Sequence, residues 1–325
     1  MAARPVNIAG ASLALQSDDA ASSLRPVREL RYACESPMSP IALNDWRRRA
    51  EHIDFRGARI ACWTAGAGKP LLLIHGFPTA AWDWSWMWEH LAAQRRLIAC
   101  DMLGFGFSDK PKANYSLLHQ ADLQCALLDH FAVQRCDALV HDYGVSVGQE
   151  LLARQNQAAL PFTIDRMLFL NGGMFPGQHR PRLIQKLGAS PLGPLLSALL
   201  SERRFSRSLA AVFGASTQPS SDELAAFWQL MAFNNGHRLA HKLLAYMGER
   251  VIHQQRWVGA LQAASIPLKH INGGADPVSG EHVFRYWRQL LPASEAVLLP
   301  SIGHYPQCEA PTRVADEVLA FLAGT

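Results

Sequence analysis

The feature that most narrows what this chain can fold into is a repeating alternation. Short, mostly apolar runs recur at Leu71–Ile74, Arg96–Cys100, Ala138–Val140, Met167–Leu170, Ile266–Ile271 and Ala296–Leu299, with helix-like stretches between most of them. Runs this short, without an in–out polar alternation, suit strands covered on both faces. Strand and helix in alternation imply a mostly parallel sheet between two layers of helices. Upstream, Ala50–Phe55 and Arg59–Thr64 flank Arg56-Gly57 and read as a β-hairpin, which brings the expected sheet to eight strands.

The alternation fails in one interval. Between about Gly177 and Ala260 there is no strand pattern. Leu183–Leu187, Leu195–Phe205, Leu224–Phe233 and Leu239–Met247 carry helical apolar spacing instead. The expected plan is therefore an α/β core in two parts, residues 50–175 and 262–325, interrupted by a helical cap at 176–261. Residues 1–49, rich in Ala and Ser, read as a poorly ordered N-terminal extension. Length alone, 325 residues at roughly 150 per domain, suggests about two domains. The insertion accounts for much of that surplus.

Composition excludes several classes. With 49% hydrophobic and 18% charged residues, the bulk of the chain is neither disordered nor collagen-like, and it can build a core without a disulfide or metal staple. The net charge of +4 is spread along the chain apart from Arg47-Arg48-Arg49, so nucleic acid is not an expected partner. Cys34, Cys62, Cys100, Cys125, Cys136 and Cys308 show neither C-x-x-C nor zinc spacing and read as reduced thiols, which fits a cytoplasmic location. No apolar run is long enough for a transmembrane helix, and no signal peptide is expected. Nothing in the pattern calls for a metal or a cofactor.

Chemistry-bearing residues gather at strand ends, where open parallel sheets build their sites. One strand ends in His75-Gly76-Phe77-Pro78, another in His141-Asp142-Tyr143-Gly144. The last two lead to Asp276-Pro277 and Gly303-His304-Tyr305. A carboxylate, a second carboxylate and a histidine thus follow in the order nucleophile, acid, base of a hydrolytic triad. Two nucleophiles compete. Gly144-Val145-Ser146-Val147-Gly148 matches G-x-S-x-G literally, but a nucleophile at Ser146 would put His141 and Asp142 inside a buried strand. Placing the turn at Asp142 keeps the strand apolar to Val140 and leaves Ser146 in the first turn of a helix, as a small residue at a close approach. On this reading Asp142 attacks an sp³ carbon to form an ester. His304 activates water and Asp276 orients His304. The backbone N–H groups of Phe77 and Tyr143 face the oxyanion. His75 and His141 read as structural, and Asp101 with the glycine-rich stretch to Pro111 as a turn shaping the pocket floor.

These segments together resemble the epoxide hydrolase and haloalkane dehalogenase branch of the α/β-hydrolases. The resemblance is closer still to the mesoderm-specific transcript proteins, through Asn171-Gly172-Gly173, Gln185-Lys186-Leu187, Arg256–Leu261 and His304-Tyr305-Pro306-Gln307. The resemblance runs from about Phe55 to the C-terminus. It implies an α/β-hydrolase fold with a helical cap, and carries Asp142, Asp276 and His304 over as the triad. The chain also departs from the branch. Haloalkane dehalogenases place Trp after the nucleophile and fluoroacetate dehalogenases Arg, whereas here the residue is Tyr143. Epoxide hydrolases use two cap tyrosines to hold the epoxide oxygen, and this insertion has only Tyr246, which reads equally as half of that clamp or as packing. Trp82 is a candidate substrate-binding residue; for the run Trp82–Trp88 the readings are a pocket wall, a membrane-facing or partner-facing patch, and helix packing, which is preferred. The leading expectation is a cofactor-independent hydrolase acting on a small hydrophobic epoxide. The alternatives are a dehalogenase with the same triad, a serine esterase using Ser146, and a ligand-binding protein with a vestigial site.

Overall fold

The computed structural model describes residues 38–324. Cys34, and residues 1–37 of the expected extension, lie outside the described residues. Eight strands form one sheet: β1 Glu51–Phe55, β2 Ala58–Ala65, β3 Pro70–Ile74, β4 Arg96–Cys100, β5 Arg135–Val140, β6 Thr163–Phe169, β7 Leu268–Gly273 and β8 Glu295–Leu299. Their spatial order is β1-β2-β4-β3-β5-β6-β7-β8. Pairings of β1 with β2 and of β2 with β4 are antiparallel, and every later pairing is parallel. The hairpin turn is Arg56-Gly57, both at positive φ. The central strands are buried on both faces because each face has its own apolar layer. Ala138 and Val140 of β5 pack with one cluster and Leu139 with the other.

The expected extension reaches too far. Leu43–Arg48 is a helix whose Trp46 is fully buried. Its indole stacks on Trp63 at 4.9 Å and meets Trp88 edge-on at 4.8 Å. A single large aromatic docking on the sheet orders this segment, although its Ala- and Ser-rich surroundings carry no periodicity.

Between β6 and β7 every regular element among the described residues is helical, with α-helices at Leu183–Gly188, Gly193–Ala198, Glu202–Ala210, Ser221–Ala232, Ala240–Leu243, Tyr246–Ile252 and Gln254–Gln262. The single helix expected over Leu195–Phe205 is broken, and Ser201, in an extended conformation, starts the next helix. The Ser221–Ala232 helix starts on a capping box formed by Ser220 and Glu223. Among the described residues no helix is long and apolar enough to cross a membrane, and the five described cysteines are free thiols.

Candidate active site

Strand β5 ends at Val140, and the helix Tyr143–Asn156 begins two residues past His141. Asp142 makes the turn with φ 45° and ψ −101°, a conformation that costs a non-glycine residue free energy and persists only where surroundings enforce it. The Asp142 N–H donates to the Asn171 carbonyl at 2.8 Å, and the Gly144 N–H to the His75 carbonyl at 3.0 Å. Gly144 is required here, because a Cβ would lie 2.4 Å from the Ile74 carbonyl oxygen and 2.6 Å from that of His75.

The turn presents the Asp142 carboxylate between two partners. Oδ2 accepts the Phe77 N–H at 3.0 Å, and Oδ1 stands 3.6 Å from His304 Nε2. The other ring nitrogen of His304, Nδ1, bonds Asp276 Oδ2 at 2.7 Å. Asp276 is itself fixed from several sides: Ser279 Oγ, Asn171 Nδ2 and the Val278 N–H donate to it at 2.6, 2.9 and 2.7 Å. Asn171 therefore ties the Asp142 turn to Asp276. Burial alone would raise the Asp142 pKa, but His304, Arg250 and His141 outweigh it and hold the carboxyl well below the usual range. Burial would likewise lower His304, yet the carboxylates of Asp276 and Asp142 push it well above its ordinary value. Both shifts favour a charged imidazole of His304 set between the carboxylates of Asp142 and Asp276.

Burial favours the neutral form of His141 and His75, whose ring nitrogens are taken up in structural hydrogen bonds. His141 bonds the His304 carbonyl at 2.8 Å through Nε2 and Gln307 at 3.1 Å through Nδ1, and burial lowers its pKa to about 3. His75 Nε2 accepts the Met102 N–H at 3.0 Å, with its pKa lowered by burial to about 4.

Asp142 and His304 open on a cleft of about 1140 Å³, mouth included, walled on the core side by Phe77, Pro78 and Tyr305 and on the insertion side by residues such as Gln185, Leu196 and Leu209. Some expected residues do not reach it. Trp82 is buried against Trp86 and Phe227, donates to the Ile41 carbonyl at 2.8 Å, and is absent from the cleft lining. The whole Trp82–Trp88 run instead fills the core face that also takes Trp46. The Asp101–Pro111 stretch is not a pocket floor either. Asp101 accepts the Ala81 and Phe107 N–H groups at 2.8 and 2.6 Å, and Phe105 packs behind the turn on His75, Phe77 and Tyr143. Tyr246 is buried against Tyr143 and Phe77 and does not line the cleft.

A profile of the α/β-hydrolase fold family matches residues 69–311. The chain belongs to the α/β-hydrolase fold family. Within it, the chain is 40% identical over 299 residues to the mesoderm-specific transcript proteins of Mus musculus and Homo sapiens, covering 88% of this chain and 89% of each relative. LipZ of Mycobacterium tuberculosis is 36% identical over 287 residues, covering 88% and 99%. Among solved structures, the fold is shared with the haloalkane dehalogenase DbeA of Bradyrhizobium elkani, at TM-score 0.71, 21% identity and 85% and 97% coverage. It is shared also with the epoxide hydrolase CorEH, at TM-score 0.69, 21% identity and 84% and 98% coverage.

Two residues of this hydrolase site carry no motif. Arg250 is 2% exposed and has no ion-pair partner among the described residues. Its guanidinium donates to the Asp142 carbonyl and to Ser146 Oγ, each at 2.8 Å, and lies over the Tyr246 ring at 4.4 Å. Glu309 accepts the N–H groups of Gly303 and Tyr305, on either side of His304, at 2.8 and 2.9 Å. It also accepts Gly214 N–H at 2.8 Å and Thr217 Oγ1 at 2.6 Å from the insertion. No local spacing signals either residue: Arg250 lies 108 positions from Asp142.

Proposed function

We propose that this α/β-hydrolase opens a small apolar epoxide with Asp142 as nucleophile. One observation carries the reading. The Asp142 carboxylate stands ionised on the cleft wall, between the Phe77 N–H and His304, while Ser146 Oγ is fully buried and occupied by Arg250. In the first step an Asp142 oxygen attacks an sp³ carbon of the epoxide, the C–O bond of the ring breaks, and the alkoxide takes a proton from water. In-line displacement turns that oxygen away from Asp142, toward an insertion wall whose polar residues are Arg182, Gln185, Ser197, Arg204 and Ser208. Tyr246, off the cleft lining, is not needed for this step.

Esterification removes the Asp142 charge that helps to hold the proton on His304, so His304 gives that proton to the hydroxide left when the alkoxide was protonated, and becomes a base. Water then gives a proton to His304 Nε2 and adds to the Asp142 carbonyl carbon. Asp276 steadies the imidazolium, and the N–H groups of Phe77 and Tyr143 meet the tetrahedral oxyanion, each such donor being worth about 3–4 kcal/mol in hydrolases. Collapse expels the diol alkoxide, which takes that proton back from His304, and leaves Asp142 as a carboxylic acid holding one water oxygen; its proton passes to His304 and restores the carboxylate and imidazolium of the resting site. A single turnover in heavy-oxygen water should therefore label Asp142, read by peptide mass spectrometry. His304→Gln should accumulate the ester. Label found only in the diol would overturn the mechanism. Turnover of haloalkanes but not epoxides would move the substrate to the dehalogenase reading and keep the nucleophile.

A further inference from the structure

We infer that the outer face of the helical insertion docks on an anionic lipid surface and draws the substrate of the cleft from it. The substrate half of this inference rests on the proposed function, whereas the docking half does not. Seven large apolar side chains stand exposed among the described residues, and five of them fall between residues 183 and 199: Leu183 at 71%, Leu187 at 37%, Leu192 at 55%, Leu195 at 59% and Leu199 at 54%. Scattered exposed leucines need no explanation, but a cluster on two adjacent short helices does.

Charge says what covers it. Residues 182–207 hold five cations, Arg182, Lys186, Arg203, Arg204 and Arg207, against one acid, Glu202. This stretch alone accounts for a charge equal to the +4 of the whole chain. Among the described residues none of the five cations is in an ion pair. The neighbouring helix at Ala240–Leu243, which touches the patch through His241 and Ser197, adds Lys242 and no acid. Leucines between unpaired arginines and lysines match an anionic bilayer, where the apolar side chains enter the acyl boundary and the long cations snorkel to the headgroups. Protein partners are met most often through Trp and Tyr anchors, with Leu under-represented, and residues 182–207 hold neither Trp nor Tyr. The patch is also continuous with the cleft: Arg182, Leu199 and Arg204 belong to both. An apolar molecule dissolved in the lipid would thus enter beside Asp142 without crossing water.

The test is co-sedimentation of the full-length protein with vesicles of phosphatidylcholine containing phosphatidylserine, and with pure phosphatidylcholine. The protein should pellet with the anionic vesicles, much less with the neutral ones, and less as salt rises. Each basic residue near an anionic surface multiplies partitioning by about fivefold, so Arg203→Glu/Arg207→Glu should lower it by at least about tenfold. Leu192→Asp/Leu195→Asp should abolish it with the thermal transition unchanged, since both leucines are exposed. Arg285→Glu, whose arginine pairs with Glu281 outside the patch, should bind as wild type. His304→Gln should also bind as wild type, which separates docking from the chemistry. Failure of the wild type to pellet would overturn the inference, as would charge and leucine variants that bind normally. So would a dimer in solution that Leu192→Asp/Leu195→Asp dissolves.

Discussion

Replacing Glu309 by Gln keeps the shape of the side chain but leaves only one acceptor oxygen. Oε2 takes three donors, from Gly303, Gly214 and Thr217, and Oε1 takes the Tyr305 N–H. The best placement of glutamine keeps its oxygen at the Oε2 position and turns its amide N–H₂ toward the Tyr305 N–H. That orphans a backbone donor, at about 1–3 kcal/mol, and reduces three charge-assisted bonds to neutral ones, at about 1 kcal/mol each. The total, about 4–6 kcal/mol before the loop relaxes, is large against the roughly 5–15 kcal/mol of a whole domain. At about 2–4 °C per kcal/mol, the midpoint of thermal unfolding should fall by about 10 °C or more. Because the lost bonds flank His304, hydrolysis of the ester should also slow, on the order of a hundredfold for a displacement near 1 Å. Alkylation, which needs Asp142 rather than His304 as base, should change far less. Scanning calorimetry and pre-steady-state kinetics read the two effects. A variant that melts within about 2 °C of wild type and hydrolyses the ester at the wild-type rate would refute the reasoning.

Asp142→Ala should abolish turnover, while Ser146→Ala should retain it with a modest loss of stability, about 1–2 kcal/mol for one bond to a charged donor; steady-state assays of both variants decide between the nucleophiles. Arg250→Met removes a buried cation beside the ester, so His304 should hold its proton to higher pH and the pH profile of ester hydrolysis should move alkaline, measured by single-turnover kinetics. Gly144→Ala forces a Cβ against two carbonyl oxygens and should cost at least about 3 kcal/mol in chemical denaturation. Stability should peak near neutral pH. The histidines held neutral by burial, His75, His141 and His270, favour folding above their unfolded value near 6.5 and withdraw that support as pH falls toward about 3 to 4. His304, raised in the fold, gives full support below 6.5 and loses it as pH climbs through its folded value. Unfolding midpoints against pH should show both limbs, and His304→Gln should flatten the alkaline one.

What the sequence made legible was what is local. Unbroken apolar runs placed the strands, and the conflict between a buried strand and His141-Asp142 placed the turn ahead of Ser146. What stayed hidden depends on partners far along the chain. Arg250 reaches Asp142 from a helix of the insertion, and Glu309 looks like any acid on a helical turn until the loops at Gly214 and Gly303 converge on it. Trp82 shows the converse: offered as a substrate-binding residue, it follows instead the packing reading of its run, whose side chains satisfy a core face that Trp46 completes. That tryptophan was invisible as an anchor because one aromatic in an Ala- and Ser-rich stretch has no period to detect.

The junction between the Val212–Gly214 turn and the His304 loop has a kinetic consequence. The His304 N–H donates to the Val212 carbonyl at 2.8 Å, and Gly303 is pressed so closely against this turn that a Cβ there would lie 2.4 Å from the same oxygen. The helical insertion is thus riveted to the loop that carries the base. It cannot swing away as a rigid lid without displacing His304, so substrate and product exchange would have to use small motions of the outer helices at Leu183–Gly188 and Gly193–Ala198. Turnover would then be timed by the breathing of that doorway, and any contact that props or clamps those two helices would set the pace of an unchanged catalytic centre.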